Sequence, residues 1–374
     1  MTETPGHVPA ARTGVQIQEA HRTFFHAMPK VELHCHLLGA VRHDTFVALA
    51  EKSNAPLARD EIDGFYTRGE KPVGVLRVLR ALDEYLLTTP DDLHRIAYEY
   101  LADAATHNVR YSEFFWNPTG TVRTSGIPYV DAQDAIVAAI RDAERDHGIV
   151  GRLIPSIDRE ADPREAVEMV EWMRAHRADE VIGIGIDYRE NDRPPEFFWK
   201  AYRNARLAGF KTTAHAGEFG TPWTNVETAV ELLKCDRIDH GYTIVDAPDF
   251  AHECAERGIV FTVVPTNSYY LRTLTPERWA EDHPIRRMPG LGLKIHPNTD
   301  DPTLHKVNPA QAWELMFSHL GFSLDDLQTF MQNGLDGAWI DDSTRRAWRR
   351  TFAVEFDTAR RALEASLAKP GAGA

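Results

Sequence analysis

Four short segments of this chain hold residues with chemistry to offer: His34-Cys35-His36, Thr213-Ala-His215-Ala-Gly217-Glu218, Asp239-His240-Gly241 and Asn298-Thr299-Asp300-Asp301-Pro302. Each alone has an ordinary explanation. A single histidine is more often hydrogen-bonded in a core than bound to a metal, a glutamate can open a helix, and adjacent aspartates can form a solvated turn. Brought to one place, three imidazoles and a carboxylate form a donor set suited to zinc, with a further position open to water. Zinc lowers the pKa of such a water toward neutrality and makes it a nucleophile.

The elements that must bring these segments together are short runs rich in β-branched residues, alternating with longer helical stretches. Eight runs stand out: Lys30–Leu37, Val109–Phe115, Gly151–Asp158, Val181–Asp187, Lys211–Glu218, Arg237–Tyr242, Ile259–Asn267 and Gly292–Asp301. Their spacing, mostly one βα unit each, predicts a single (β/α)8 (TIM) barrel spanning 1–374. Residues 1–15 and 368–374 read as flexible ends. The stretch from Asp44 to His107 is too long for one crossover and predicts a helical insertion after strand one, over the barrel mouth. Barrel enzymes hold their sites at the C-terminal ends of the strands, where strands one, five, six and eight would deliver the four segments. His34 and His36 are two apart on a strand, so both face the barrel interior.

Bulk properties narrow the function. The chain has 374 residues, 43% of them hydrophobic, enough for a substantial core. Fifty-six acidic against 42 basic side chains give a net charge of −14, which disfavours a nucleic-acid partner. Cys35, Cys235 and Cys254 form no disulfide framework and no cysteine-zinc knuckle. The polar N-terminal segment lacks an apolar h-region and no run approaches a membrane span, so a soluble, cytoplasmic protein is expected. Oligomeric state leaves no signature. Gly183-Ile-Gly185 lacks the third glycine of a dinucleotide loop and reads as tight packing of a buried strand. Strand four offers no lysine to bridge two metals, so one ion per chain is expected.

Met28-Pro-Lys-Val-Glu-Leu-His-Cys-His-Leu-Leu-Gly39, the His-Ala-Gly-Glu segment at 215–218, Ile238-Asp-His-Gly241 and Asn298-Thr-Asp-Asp-Pro302 together resemble the adenosine deaminase-like zinc amidohydrolases, in order, over roughly residues 28 to 340. The resemblance implies that His34, His36, His215 and Asp300 bind one Zn2+. It implies that His240 orients and helps deprotonate the attacking water, that Glu218 donates a proton to purine N1, and that Asp301 shares a proton at N7. Glu113 and Arg159 also fall where the family often has such residues. The implied reaction is hydrolytic removal of the 6-amino group of adenosine or a close relative, releasing ammonia. Attack on an aromatic amidine-like carbon needs the neighbouring ring nitrogen protonated, which a positioned general acid supplies.

Two departures bear on the substrate. Leu38 stands where typical members carry an acidic residue that contacts the ribose 5′ end. The stretch Ile186-Asp-Tyr-Arg-Glu190-Asn-Asp-Arg-Pro-Pro195 is similar to the adenine deaminase branch. The alternatives are therefore a free-base adenine deaminase, another aminopurine or pterin deaminase, or a catalytically inert binding protein on the same fold.

Overall fold

A computed structural model describes residues 16–67 and 74–368. Apart from Ala368, the expected flexible ends lie outside the described residues. Eight strands form one sheet: β1 Lys30–Glu32, β2 Val109–Trp116, β3 Val150–Asp158, β4 Gly183–Asp187, β5 Lys211–Ala216, β6 Arg237–His240, β7 Val260–Val263 and β8 Lys294–Pro297. They follow one another in sequence order and every neighbouring pair is parallel. Such strands are covered on both faces, hence near-continuous apolar runs such as Val-Ile-Gly-Ile-Gly-Ile in place of alternation.

The sheet closes between β8 and β1. The His36 amide donates to the Asp300 carbonyl at 2.8 Å, and the Asp300 amide to the His34 carbonyl at 3.0 Å. The Asn298 side chain accepts from the Leu33 amide at 2.8 Å. This side-chain bond takes the place of a ladder bond. It explains why β1 ends at Glu32, while Cys35 and His36 continue as isolated bridges to Asp300 and Phe115. The architecture is the expected TIM barrel.

Helices Tyr129–His147, Pro163–Ala175, Trp199–Leu207, Thr224–Glu231 and Pro248–Glu256 connect the strands from β2 to β7. Their ends follow local chemistry. Asp162 accepts from the Arg164 amide ahead of Pro163 at the first helical position. Gly148, at φ 70°, stops the helix that ends at His147. No helix among the described residues is long and apolar enough to cross a membrane.

The stretch between β1 and β2 holds helices His43–Ser53, Arg59–Phe65, Val75–Ala81 and Pro90–Thr106, with a π-helical turn at Leu82–Leu86. Val75, Leu76 and Leu79 of this insertion line the pocket above the strand ends. Arg80 anchors it to the barrel, donating to Asp158 and, at 3.0 Å, to Glu160, with its guanidinium 4.1 Å from the centre of the Tyr188 ring.

The opposite end of the barrel is plugged by a fully buried pair. Arg237 donates to Glu113 at 2.6 Å and to the Gly337 and Leu33 carbonyls at 3.0 and 3.2 Å. Glu113 also accepts from the Tyr111 hydroxyl at 2.7 Å and the Trp339 amide at 2.6 Å. Glu113 thus ties β2 to β6 and to the chain after the last barrel helix.

Candidate metal and active centre

The ends of β1, β5 and β8 bring His34, His36, His215 and Asp300 together, with their ligand atoms all within 4.8 Å of one another and every residue buried. His36 Nε2 lies 3.1 Å from His215 Nε2. Asp300 Oδ1 lies 3.2 Å from His36 Nε2 and 3.4 Å from His34 Nε2. Ligand bonds of ~2.0–2.1 Å at tetrahedral angles put neighbouring donor atoms about 3.3 Å apart. His34 Nε2 is buried with no hydrogen-bond partner. Two imidazole nitrogens facing each other at contact distance, beside an orphaned third, are an arrangement that a small tetrahedral cation satisfies.

Each histidine has a polar group facing its other nitrogen. His34 Nδ1 is 3.1 Å from the Thr262 hydroxyl, His36 Nδ1 is 3.4 Å from Asp187, and His215 Nδ1 is 3.5 Å from Asp239. The partners are themselves held. Asp187 accepts from the Asn117 amide at 2.7 Å, and Asp239 accepts from the Thr213 and Thr262 hydroxyls at 2.8 and 2.7 Å. Phe115 packs its ring edge-on or tilted against all three imidazoles, at 5.1–5.5 Å between centres. Gly185 makes room for it, since a Cβ there would stand 2.9 Å from the Phe115 ring. The tight-packing reading of Gly183-Ile-Gly185 holds.

Glu218 and His240 form the next group, and their functional atoms with Asp300 fall within the same 4.8 Å limit. Glu218 Oε2 is 3.5 Å from His240 Nε2, and Oε1 accepts from the Asn267 amide at 2.9 Å. Burial and the neighbouring Asp300 charge push the Glu218 carboxyl well above the usual carboxylate range, against the Asn267 bond. Burial also favours protonation of Asp300, but His34 and His36 outweigh it and hold that carboxyl well below its ordinary value. Burial and the two nearby imidazoles His34 and His215 hold His240 well below the ordinary histidine value. The site therefore presents a protonated Glu218, an ionised Asp300 and a neutral His240. Two carboxyls pushed apart in this way are suited to different roles.

Asp301 sits beside Asp300, 3.9 Å from His305. Gly39 makes its position possible, because a methyl group there would overlap the Asp301 carboxylate. All seven residues singled out from the sequence thus gather at one mouth. The sequence reading gave no role to Asp187, Asp239, Thr262 or Asn267. Glu190 is buried and accepts from the Gly217 and Glu218 amides, the Thr221 hydroxyl and the Asn225 amide at 2.8–3.1 Å, which fixes the loop carrying Glu218. Leu38 is buried among core residues and does not line the pocket. Arg159 is fully buried and donates to the His215 carbonyl at 2.8 Å, steadying the strand end from behind.

A closed parallel barrel with such a centre at its C-terminal mouth defines the class of metal-dependent barrel hydrolases. Within that class, the family model for adenosine deaminase matches residues 29–353, and the chain belongs to that family, as a hydrolase of carbon–nitrogen bonds. It is 30% identical over 340 residues to an adenine deaminase of Ralstonia nicotianae, covering 88% of this chain and 95% of that one. It is equally 30% identical over 332 residues to an adenosine deaminase of Clostridium botulinum, covering 86% and 96%. Among solved structures, an amidohydrolase from Burkholderia ambifaria with bound zinc is 75% identical, with a TM-score of 0.96 over 97% of this chain and 100% of that one.

Proposed function

We propose that this protein is a zinc-dependent deaminase of a 6-aminopurine nucleoside, adenosine or a close relative, with one ion held by His34, His36, His215 and Asp300. The observation that carries the reading is the pairing of a donor set of tetrahedral spacing with a buried, proton-retaining Glu218 beside it. When bound, the ion activates a water for attack.

The chain's own residues supply the rest. Glu218 holds its proton for purine N1, so that C6 becomes electrophilic as the water oxygen adds. His240, neutral and with its Nε2 turned to Glu218, takes the proton the water loses. Its Nδ1 stays fixed against the Tyr242 hydroxyl at 3.1 Å. Asp301, which lines the same pocket as Asp300, shares a proton at N7 in this reading. The proton held by His240 then passes to the amino nitrogen, the C6–N bond breaks, and ammonia leaves as the adduct hydroxyl returns a proton to Glu218 and becomes the ring carbonyl. A pocket of about 440 Å3 falls in the range of drug-sized ligands, which favours a nucleoside over a bare base.

The test is ammonia release from adenosine, 5′-modified adenosines, adenine, guanine and pterins, with metal content measured on the same preparation. About one zinc per chain and turnover of an adenine nucleoside are expected. Turnover of adenine alone would move the chain to the free-base branch, and release from none of the panel would refute the reading.

A further inference from the structure

The charged residues around the pocket are sorted by depth. Its carboxylates, Asp187, Glu218, Asp300 and Asp301, all sit at strand ends and are buried. Among the described lining residues, its cations apart from the imidazoles are three arginines, and none is on a strand: Arg77 on the helix of the insertion, Arg189 just after β4, and Arg272 in the short helix after β7. All three are exposed. No carboxylate of the described lining shares that outer level. On a chain with a net charge of −14, three guanidinium groups from three separate elements thus reach one opening.

Two of these arginines have partners that an anion could replace. Arg77 contacts Glu61 at 3.0 Å, with about half of the arginine and over a third of the glutamate side chain exposed. Arg189 stands 3.8 Å from Glu160, which also receives Arg80 at 3.0 Å, so that carboxylate is shared. Exposed pairs of this kind are weak, and the planar fork of arginine suits oxyanions in bidentate contact. Leu38, in contrast, is sealed in the core, so the side chain that stands in place of a 5′-hydroxyl partner contributes nothing to the wall.

We infer that the substrate carries an anionic group, a phosphate ester or a carboxylate, on the part of the molecule that projects from the purine toward the mouth. The inference rests on the aminopurine reading of the pocket floor. Arg77, Arg189 and Arg272 bind the anion while Glu218 and Asp301 engage the ring. This deepens the proposed function from a neutral nucleoside to an anionic derivative of one.

Calorimetric titration of the zinc-loaded full chain carrying Glu218→Gln, which suppresses turnover, with adenosine, adenosine 5′-monophosphate and adenosine 5′-carboxylate reads the anion apart from the reaction. The charged ligands should bind at least about tenfold more tightly than adenosine at low salt, the scale of one charge-assisted hydrogen bond. That preference should shrink with added salt. Arg77→Gln, Arg189→Gln and Arg272→Gln should each lower it, and leave adenosine binding and the thermal midpoint unchanged. Preference for the phosphate alone or the carboxylate alone identifies the anion and supports the inference. Equal binding of adenosine and both anions, or a preference untouched by all three substitutions, overturns it. Failure of the deaminase reading is separate: it appears as an anion preference without ammonia release from any aminopurine by the wild-type chain.

Discussion

Replacing Asp239 by asparagine should loosen the metal without touching a ligand. Asp239 is fully buried, with one oxygen 3.5 Å from His215 Nδ1 and the other accepting from the Thr262 hydroxyl, which in turn stands 3.1 Å from His34 Nδ1. One carboxylate thus sets the orientation of two of the three imidazoles. Burial opposes its charge, yet His215, His34 and Arg237 keep it ionised, below the usual carboxylate range. A histidine that ligates through Nε2 must carry its proton on Nδ1, and an ionised acceptor facing Nδ1 enforces that tautomer. Asparagine keeps the shape but removes the charge. In one amide orientation it points an N–H at His215 and favours the wrong tautomer. Loss of such a partner lowers metal affinity about 10–100-fold, roughly 1.4–2.7 kcal/mol. The assay is competition for zinc against a chromophoric chelator at fixed pH, with thermal melting to show that the variant is folded. A folded Asp239→Asn protein whose zinc affinity stayed within about threefold of wild type would refute the argument.

Glu218→Gln keeps the Asn267 contact but cannot supply a proton, so kcat should fall at least ~100-fold with zinc content unchanged. An emptied metal site in that variant would reassign Glu218 as a ligand. Gly39→Ala should displace the Asp301 carboxylate and reduce kcat/KM, while the zinc affinity governed by Asp300 and the histidines stays near wild type; unchanged kcat/KM would remove Asp301 from the ring contact. Burial pushes His283 down to about 3, and its Nδ1 accepts from the Ile285 amide at 3.2 Å. The unfolded chain therefore binds more protons than the folded one between the ordinary histidine value near 6.5 and about 3, and stability falls as pH drops through that window, by up to about 1.4 kcal/mol per unit. His283→Asn keeps an acceptor but does not titrate, so its unfolding free energy should depend less steeply on pH between 6.5 and 4.5; an identical slope would show that His283 does not contribute.

The barrel was legible because buried parallel strands leave an uninterrupted apolar signature and their spacing reveals the crossovers. Each of the eight runs overlaps one strand of the sheet. Boundaries were less legible wherever a side chain substitutes for the ladder. The first run reads as extended to Leu37, but the Leu33 amide is taken by Asn298, some 265 positions away in sequence, and β1 stops at Glu32. The seventh run reads through to Asn267, but β7 ends at Val263 and Asn267 caps the following helix by accepting from the Tyr269 amide at 3.0 Å. Neither contact leaves a periodicity that a local window could detect.

The site was legible to the extent that strand alternation governs it. His34 and His36 lie two apart and share a face, as alternation requires. Alternation fails at two places where adjacent polar residues both serve the site. Asp239 and His240 are neighbours, yet one orients His215 and the other faces Glu218; Asp300 and Asp301 are neighbours, yet both line the pocket. The backbone explains both cases. His240 and Asp300 have φ of 65° and 64°, the left-handed region that residues with a Cβ rarely adopt. Such a residue turns the chain at the strand end, so two consecutive side chains reach one cavity. The conformation costs about 1–3 kcal/mol at each position and persists only where surrounding contacts over-determine it. Those contacts are present. The Asp300 amide and carbonyl are locked to His34 and His36, and His240 is held through Tyr242, whose hydroxyl bonds both the amide and the carbonyl of Val264. Sequence spacing cannot reveal a left-handed histidine or aspartate, because nothing in the residue type demands it. The demand comes from closing the barrel around a centre that needs more polar groups than alternation alone can deliver.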